Sequence, residues 1–384
     1  MVSKTKEANF ERATFEVNSS ERKQITMDRS LSLTDWVTNL FYKLGYRNEN
    51  SVLGLDIGKW SIKLVELSYT KTGWELLDAD MERIVDSPFE SLKKMLQKRK
   101  SKTDLVVSAL PPDLVIEQLI KLPYVEKNEL REMLSWEVRK LIDFPLQEAV
   151  WDYLLMNESQ AEQLQIFLTI APKQSVKEQL EFIQSCSLKG LAFETKSLAL
   201  YNILRLAGRS FYEKSSMLVD LGFETSQLMI VRNGILSLSR RIGFGGKQIA
   251  ETLTNLLGCS AEEAQSLIMG TDVYKDKEKS NIVSISQTIQ NQLDNLIMEI
   301  QRSLAFFLTE NPEGTIDKMI LTGGTAKLSS LDGYLQEKLN LQTELFDPCR
   351  FVQVNRYRGD RQNLKMLWPH LAVALGLGSW RENE

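Results

Sequence analysis

Three short stretches of this chain combine glycine with acidic or hydroxyl side chains directly after an apolar run, a pattern suited to holding a polyanion. The first is Leu55-Asp56-Ile57-Gly58-Lys59-Trp60-Ser61-Ile62-Lys63. Here the Asp56 carboxylate can orient a magnesium-bound water, while the turn's backbone N–H groups and the Lys63 ammonium can hold phosphate oxygens. Asp56, Gly58, Lys59, Ser61 and Lys63 are its candidate ligand residues. The second stretch, Val219-Asp220-Leu221-Gly222-Phe223-Glu224-Thr225-Ser226, offers Asp220, Gly222 and Thr225 to the same polyphosphate from the opposite side. Asp56 and Asp220 are therefore also the candidate magnesium ligands. In the third, Thr322-Gly323-Gly324-Thr325, residues without side chains let the backbone lie close against a nucleoside. Each stretch alone reads as easily as a plain turn or bend. Their order and spacing carry the chemical reading.

Such loops need strands to position them. Val52–Ile57 reads as a strand, Gly58 as a tight turn and Ser61–Leu67 as the returning strand of a hairpin. A second copy follows at Met217–Leu221, Gln227–Val231 and Ile235–Leu238, with Asn233-Gly234 as a turn. The repetition of an apolar strand ending in Asp-x-Gly predicts duplicated lobes that face each other. Met319–Leu321 is the strand that delivers the third loop. Between the hairpins lie a strand at Leu105–Ala109, stopped by Pro111 and Pro112, a helix at Glu129–Ile142, strands at Val150–Met156 and Gln165–Ile170, and a helix from Gln174 to about Ser187. Helices dominate Gln248–Leu257 and Ile289–Leu308, where Ile289, Leu293, Leu296, Ile300 and Phe307 form a core-packing stripe, and an apolar helix at Leu371–Leu377 closes the chain. Residues 1–30 read as a disordered extension. From Ser32, Leu33, Trp36, Val37, Leu40, Phe41 and Leu44 recur at helical spacing, with Ser32 and Asp35 resembling a capping box. The polar face of this helix carries little beyond Lys43, which favours packing on the body or on a protein partner over a lipid surface.

Composition narrows the function further. A length of 384 residues suits two or more lobes, each with its own core. The net charge of -4 gives no nucleic-acid footprint. Cys186, Cys259 and Cys349 are odd in number and far apart, which argues against a disulfide framework or zinc knuckle and fits a reducing compartment. The single histidine, His370, follows Pro369 and reads as a packing or capping residue, excluding histidine-based metal sites and Ser-His-Asp hydrolysis. No apolar run is long enough to span a membrane and the first residues are polar, so any link to a membrane runs through a surface helix or a partner.

The three loops fall where the phosphate-1, phosphate-2 and adenosine motifs of the actin, Hsp70 and sugar-kinase superfamily are expected. A more specific resemblance lies in Ser108-Ala109-Leu110-Pro111, Ile120-Lys121-Leu122-Pro123-Tyr124, Glu129-Leu130-Arg131-Glu132-Met133-Leu134-Ser135-Trp136-Glu137 and Ile142-Asp143-Phe144-Pro145-Leu146. Gly245-Gly246-Lys247-Gln248, Glu262-Glu263-Ala264 and Leu321-Thr322-Gly323-Gly324-Thr325-Ala326-Lys327-Leu328 extend it. Together these resemble the PilM family of type IV pilus assembly proteins over roughly residues 51–384, leaving the first 50 without a counterpart.

The resemblance implies an α/β, actin-like (ribonuclease H-like) duplicated two-lobe ATPase fold, similar to FtsA, with a small inserted α+β module. On that plan residues 51–104, 190–214 and 365–384 form the first-lobe core and 105–189 the insert. Residues 215–247 and 314–364 form the second-lobe core, and 248–313 its helical subdomain. It also implies ATP and Mg2+ as cofactors, adding Gly245, Gly246, Lys247, Gly323, Gly324 and Thr325 to the nucleotide-binding set. A water-aligning residue falls near Glu194 to Lys196, so Asp56, Asp220 and Glu194 are the catalytic candidates. The implied partner is the N-terminal tail of the membrane protein PilN, held between the first-lobe core and the insert by a cytoplasmic protein peripheral to the inner membrane. Leu134, Val138, Leu141 and Ile142 either line that groove or pack inside the insert. Self-association, as an FtsA-like filament, is an alternative.

Two residues depart from the family pattern. Trp60 replaces a small residue and either crowds a phosphate or points into the core, and Glu224 stands where glycine is usual. A carboxylate there opposes a polyphosphate unless magnesium or Lys63 offsets it. The expectation is ATP as a structural ligand with slow or no turnover; a cycling ATPase or a phosphotransferase of the sugar-kinase branch is the alternative, without an acceptor-binding motif.

Overall fold

The computed structural model describes residues 51–99, 103–157, 163–206, 214–270, 273, 280–348 and 351–380. The helix expected from Ser32 and the extension before it lie outside the described residues, as does Cys349. The apolar run at Ser51–Ile57 forms β1, and β2 (Ser61–Thr70) folds back antiparallel to it with Asp56 opposite Lys63. β3 (Gly73–Arg83), which the sequence pattern hides among acidic residues, extends the hairpin into a meander. β4 (Leu105–Ala109) lies parallel beside β1. β5 (Ile116–Pro123), β6 (Ala149–Leu155) and β7 (Gln163–Pro172) form a separate antiparallel sheet in the order β5-β7-β6. β8 (Lys189–Glu194) then completes the first sheet, β3-β2-β1-β4-β8.

The second lobe repeats this plan. β9 (Ser216–Leu221), β10 (Ser226–Arg232) and β11 (Ile235–Ile242) make the meander, and β12 (Lys318–Thr322) and β13 (Thr343–Leu345) add parallel strands, giving β11-β10-β9-β12-β13. The duplication is therefore strand for strand. Asn233 and Gly234 both take positive φ, 50° and 76°, the combination a tight hairpin needs to match strand twist.

Three expected boundaries move. Leu105–Ala109 belongs to the first sheet rather than to the insert, because its backbone pairs with β1 on one side and β8 on the other. Helix Lys173–Ser185 also leaves the insert, burying Val176 and Ile183 against Leu53, Leu55 and Val106 of the first lobe. The segment after β13, expected in the second-lobe core, runs along β3 instead: Gln353 N donates to Trp74 O (2.9 Å), and Arg358 pairs with the buried Glu66 (2.9 Å). The insert is thus the three-stranded sheet with helix Lys127–Leu141 on one face. Leu134 and Val138 are fully enclosed there, each with 0% exposure, so they pack the insert and cannot line a groove.

The lobes share a core. Leu200, Ile203, Leu371 and Leu375 of the first lobe bury against Leu218, Met229 and Ile320 of the second. Helix Ala372–Gly378 is wedged between β1 and helix Lys196–Leu206 at backbone contact: a Cβ on Gly54 would overlap Ala374 O, and one on Gly376 would overlap Ala199 O. Only glycine permits that approach. Among the described residues no helix is long and apolar enough to cross a membrane.

Candidate functional site

The duplicated sheets bring Asp56 and Asp220, each one residue from the end of its strand, to neighbouring positions at the carboxyl ends of β1 and β9. Such ends form the ligand crevice of open α/β sheets. Asp56 is 3% exposed and carries two ammonium groups: Lys63 Nζ lies 3.1 Å from Oδ2 and Lys196 Nζ 3.2 Å from Oδ1. Burial alone would raise its pKa, but Lys196 and Lys63 outweigh burial and bring it down to about 2. Asp220 goes the other way. Burial raises it to about 6, against partial relief from Lys196 and Lys63, with Asp56 adding to the rise. Lys196 stays charged because Asp56 and Asp220 outweigh its burial, and its pKa is raised.

Sequence reasoning placed a site residue near Glu194 to Lys196 and took Glu194; it is Lys196 that lies beside Asp56. It opens helix Lys196–Leu206, where the helix dipole disfavours a cation, so an acidic counter-charge had to lie nearby. That signal was readable; its partner, distant along the chain, was not.

The other candidates divide. Gly222 O accepts from Gly246 N (3.1 Å) and from Thr325 Oγ1 (2.8 Å), and Lys247 N donates to Phe223 O (2.8 Å), so the second loop, Gly245–Lys247 and Thr325 do converge. Thr225 closes that loop, its backbone carbonyl close beside Gly222. Gly323 has φ +90° and its N–H donates to Pro369 O (2.6 Å), while Gly324 is covered by the His370 ring. The tight approach these glycines permit is to the protein itself. Gly58 N donates to Ser61 O (3.1 Å), closing the first turn, and the Ser61 side chain is buried. The backbone donors of Gly58, Gly246, Lys247 and Gly323 are therefore already engaged within the protein. Lys59 turns outward to Asp113 (3.1 Å). Lys247 pairs with Glu224 (3.1 Å) and gives this carboxylate a counter-charge.

Trp60 takes neither expected position. Its ring meets Phe223 of the opposite loop, with centroids 4.7 Å apart and planes at 33°, and the Arg83 guanidinium lies 4.3 Å from the same ring's centroid. Arg83 also bonds Glu262 (2.6 Å), so both contacts tie the lobes at the mouth of the cleft.

Glu194, the last residue of β8, has Asp152, Trp380 and Glu117 as its neighbours. Its pKa is pushed up to about 8, by burial first and then by Asp152 and Glu117, with Trp380 giving partial relief. Its proton is held well above the ordinary carboxylate range, which weakens it as a base near neutral pH. His370 is lowered to about 4 by burial, with Lys327 and Lys63 contributing, and stays neutral as a packing residue.

Magnesium does not fit this arrangement. Both oxygens of Asp56 face ammonium groups, and a divalent cation between Asp56 and Asp220 would meet Lys63 and Lys196. Among the described residues no group of three or more His, Cys, Asp or Glu could hold a metal. Asp56 and Asp220 as direct metal ligands conflict with these ion pairs. A polyanion, by contrast, finds two cations at the crevice.

Two sheets of the same strand order, joined by a shared core and each ending its first strand in Asp-x-Gly at one cleft, define an actin-like fold. The solved ethanolamine utilization protein EutJ from Carboxydothermus hydrogenoformans shares that fold, with a TM-score of 0.50 at 12% identity over 87% of this chain and 91% of that one. The chain belongs to the family described as type IV pilus assembly protein PilM, which matches residues 54–381. It is similar to the solved PilM-PilN type IV pilus biogenesis complex, with a TM-score of 0.74 and 25% identity over 85% of this chain and 97% of that one.

Proposed function

We propose that this chain binds ATP across the cleft between its lobes and holds the N-terminal tail of a PilN partner beside the insert, as an assembly protein on the cytoplasmic face of the inner membrane. One observation carries the nucleotide reading: Asp56, Lys63 and Lys196 of the first lobe and Asp220 of the second share one electrostatic cluster. Lys63 and Lys196 would take the phosphate charge, with the Gly245–Lys247 and Gly323–Thr325 turns at the nucleoside end. Bound there, ATP supplies a polyanion that links both lobes. Membership of the PilM family and the similarity to a PilM-PilN complex support the partner. With Leu134 and Val138 in the insert core, the half-buried Leu141 and Ile142 are the groove candidates left.

A neutral Glu194 outside the acid pair supports slow or no turnover. Asp220, with a pKa near 6, favours a second reading as a cycling ATPase, since it could accept a proton near neutrality. Multiple-turnover ADP release that is lost in Asp220→Asn would establish that reading. The main proposal is tested by the affinity of a PilN tail peptide with and without ATP. A several-fold gain with ATP supports coupling, and equal affinities leave a static adaptor.

A further inference from the structure

Resting on the ATP reading above, we infer that Lys196 occupies the place of the divalent cation, so that this cleft binds nucleotide triphosphate without a metal. The charge balance leads there. Asp56 and Asp220 bring two negative charges, and Lys63 and Lys196 return two positive ones before any ligand arrives. Lys63 and Lys196 already lie 3.1 Å and 3.2 Å from the two Asp56 oxygens, where they repel a divalent cation at short range. The same groups, with the N-terminus of helix Lys196–Leu206 behind one of them, suit an anion directly.

Access and need agree with this assignment. The Lys196 side chain is 23% exposed and also borders a cavity of about 250 Å³ lined by Leu110, Pro112, Ile116, Gln227, Ser239 and Arg241. The 23% exposure leaves its ammonium open to a ligand while it stays beside Asp56. Backbone donors of Gly58, Gly246, Lys247 and Gly323 are engaged within the protein, and the Lys63 and Lys196 ammonium groups are cations at hand for a triphosphate.

The test is calorimetric titration of ATP into the full chain, in excess EDTA and in millimolar magnesium. Wild type should bind within about threefold in the two buffers, and Lys196→Met should lose about 10- to 100-fold in EDTA, the loss expected for one charge-assisted contact. Magnesium should restore most of that loss, and Lys196→Arg should keep the binding in EDTA. Wild-type binding that collapses in EDTA and returns with magnesium overturns the inference while leaving the ATP site intact. Absence of ATP binding in both buffers overturns both. Paramagnetic titration of the nucleotide-free chain with Mn2+ gives a second readout, independent of ATP. No tight site in wild type is the expected result, and a tight site there overturns the inference, even if Lys196→Met fails to fold.

Discussion

Replacing Glu194 by glutamine should flatten the pH dependence of folding stability. In the folded chain this carboxyl keeps its proton up to about 8, whereas in the unfolded chain it loses it near its ordinary value of 4.5. Between those values the folded state binds more protons than the unfolded state, so stability falls as pH rises. The contribution is fully present below about 4.5 and lost as pH climbs to about 8. At about 1.4 kcal/mol per pH unit, the interval amounts to about 5 kcal/mol in full and about 3 kcal/mol by pH 7. Its main cause is burial at the end of β8, with Asp152 and Glu117 adding like charge. Glu194→Gln carries no ionisable proton, so urea unfolding at pH 5, 7 and 8.5 should show the variant close to wild type at the lowest pH and more stable by roughly 3 to 5 kcal/mol at the highest. A wild-type stability that is flat or rising from pH 5 to 8, or a variant with the wild-type slope, would refute the buried, neutral assignment. The same variant bears on catalysis: if Glu194 is protonated, any ADP release should be unchanged.

Trp60→Ala should cost about 1 to 2 kcal/mol in urea unfolding, from the lost ring pair with Phe223 and the lost cation contact with Arg83, and should speed ATP association by freeing the cleft mouth. An unchanged association rate in stopped flow would show that the contact does not control entry. Gly376→Ala should cost more than about 4 kcal/mol or prevent folding, because its Cβ would sit 1.8 Å from the rigid Ala199 carbonyl, whereas Gly378→Ala, whose Cβ would lie 3.3 Å from the flexible Leu67 side chain and 3.4 Å from Gly54 N, should cost less than about 1.5 kcal/mol. Similar melting temperatures for the two would contradict the backbone wedge. Lys327 is pushed down by burial, yet its replacement by methionine should leave ATP affinity within about threefold, because it does not touch the acid pair. A larger loss by calorimetry would place the phosphates elsewhere.

The central hairpins were legible because the middle of β1 and nearly all of β9 are buried, so each reads as an apolar run into its Asp-x-Gly turn. Asn233-Gly234 was legible because few residue pairs accept positive φ twice. β3 was not: its buried Leu76, Leu77 and Ala79 alternate irregularly among Glu75, Asp78 and Asp80. The true start of helix Ser280–Glu310 was concealed by a serine- and β-branched-rich first turn with weak helix preference. At the site, residue type named Asp56, Lys63 and Asp220, but type also favoured Glu194 over Lys196. The choice between them depends on where strand β8 gives way to the helix capped by Thr195, whose hydroxyl accepts from Leu198 N (3.2 Å). A shift of two residues across that boundary exchanges a buried neutral acid for a cation in the cleft. Partner choices such as Trp60 with Phe223 or Lys247 with Glu224 are tertiary, and no local pattern encodes them.

The most direct measurement is a crystal structure of the full chain with a non-hydrolysable ATP analogue. Triphosphate density within hydrogen-bond distance of Lys63 and Lys196, with the base near Gly323 and Gly245, is the expected result. An empty cleft at saturating analogue, or nucleotide bound on another surface, would contradict it.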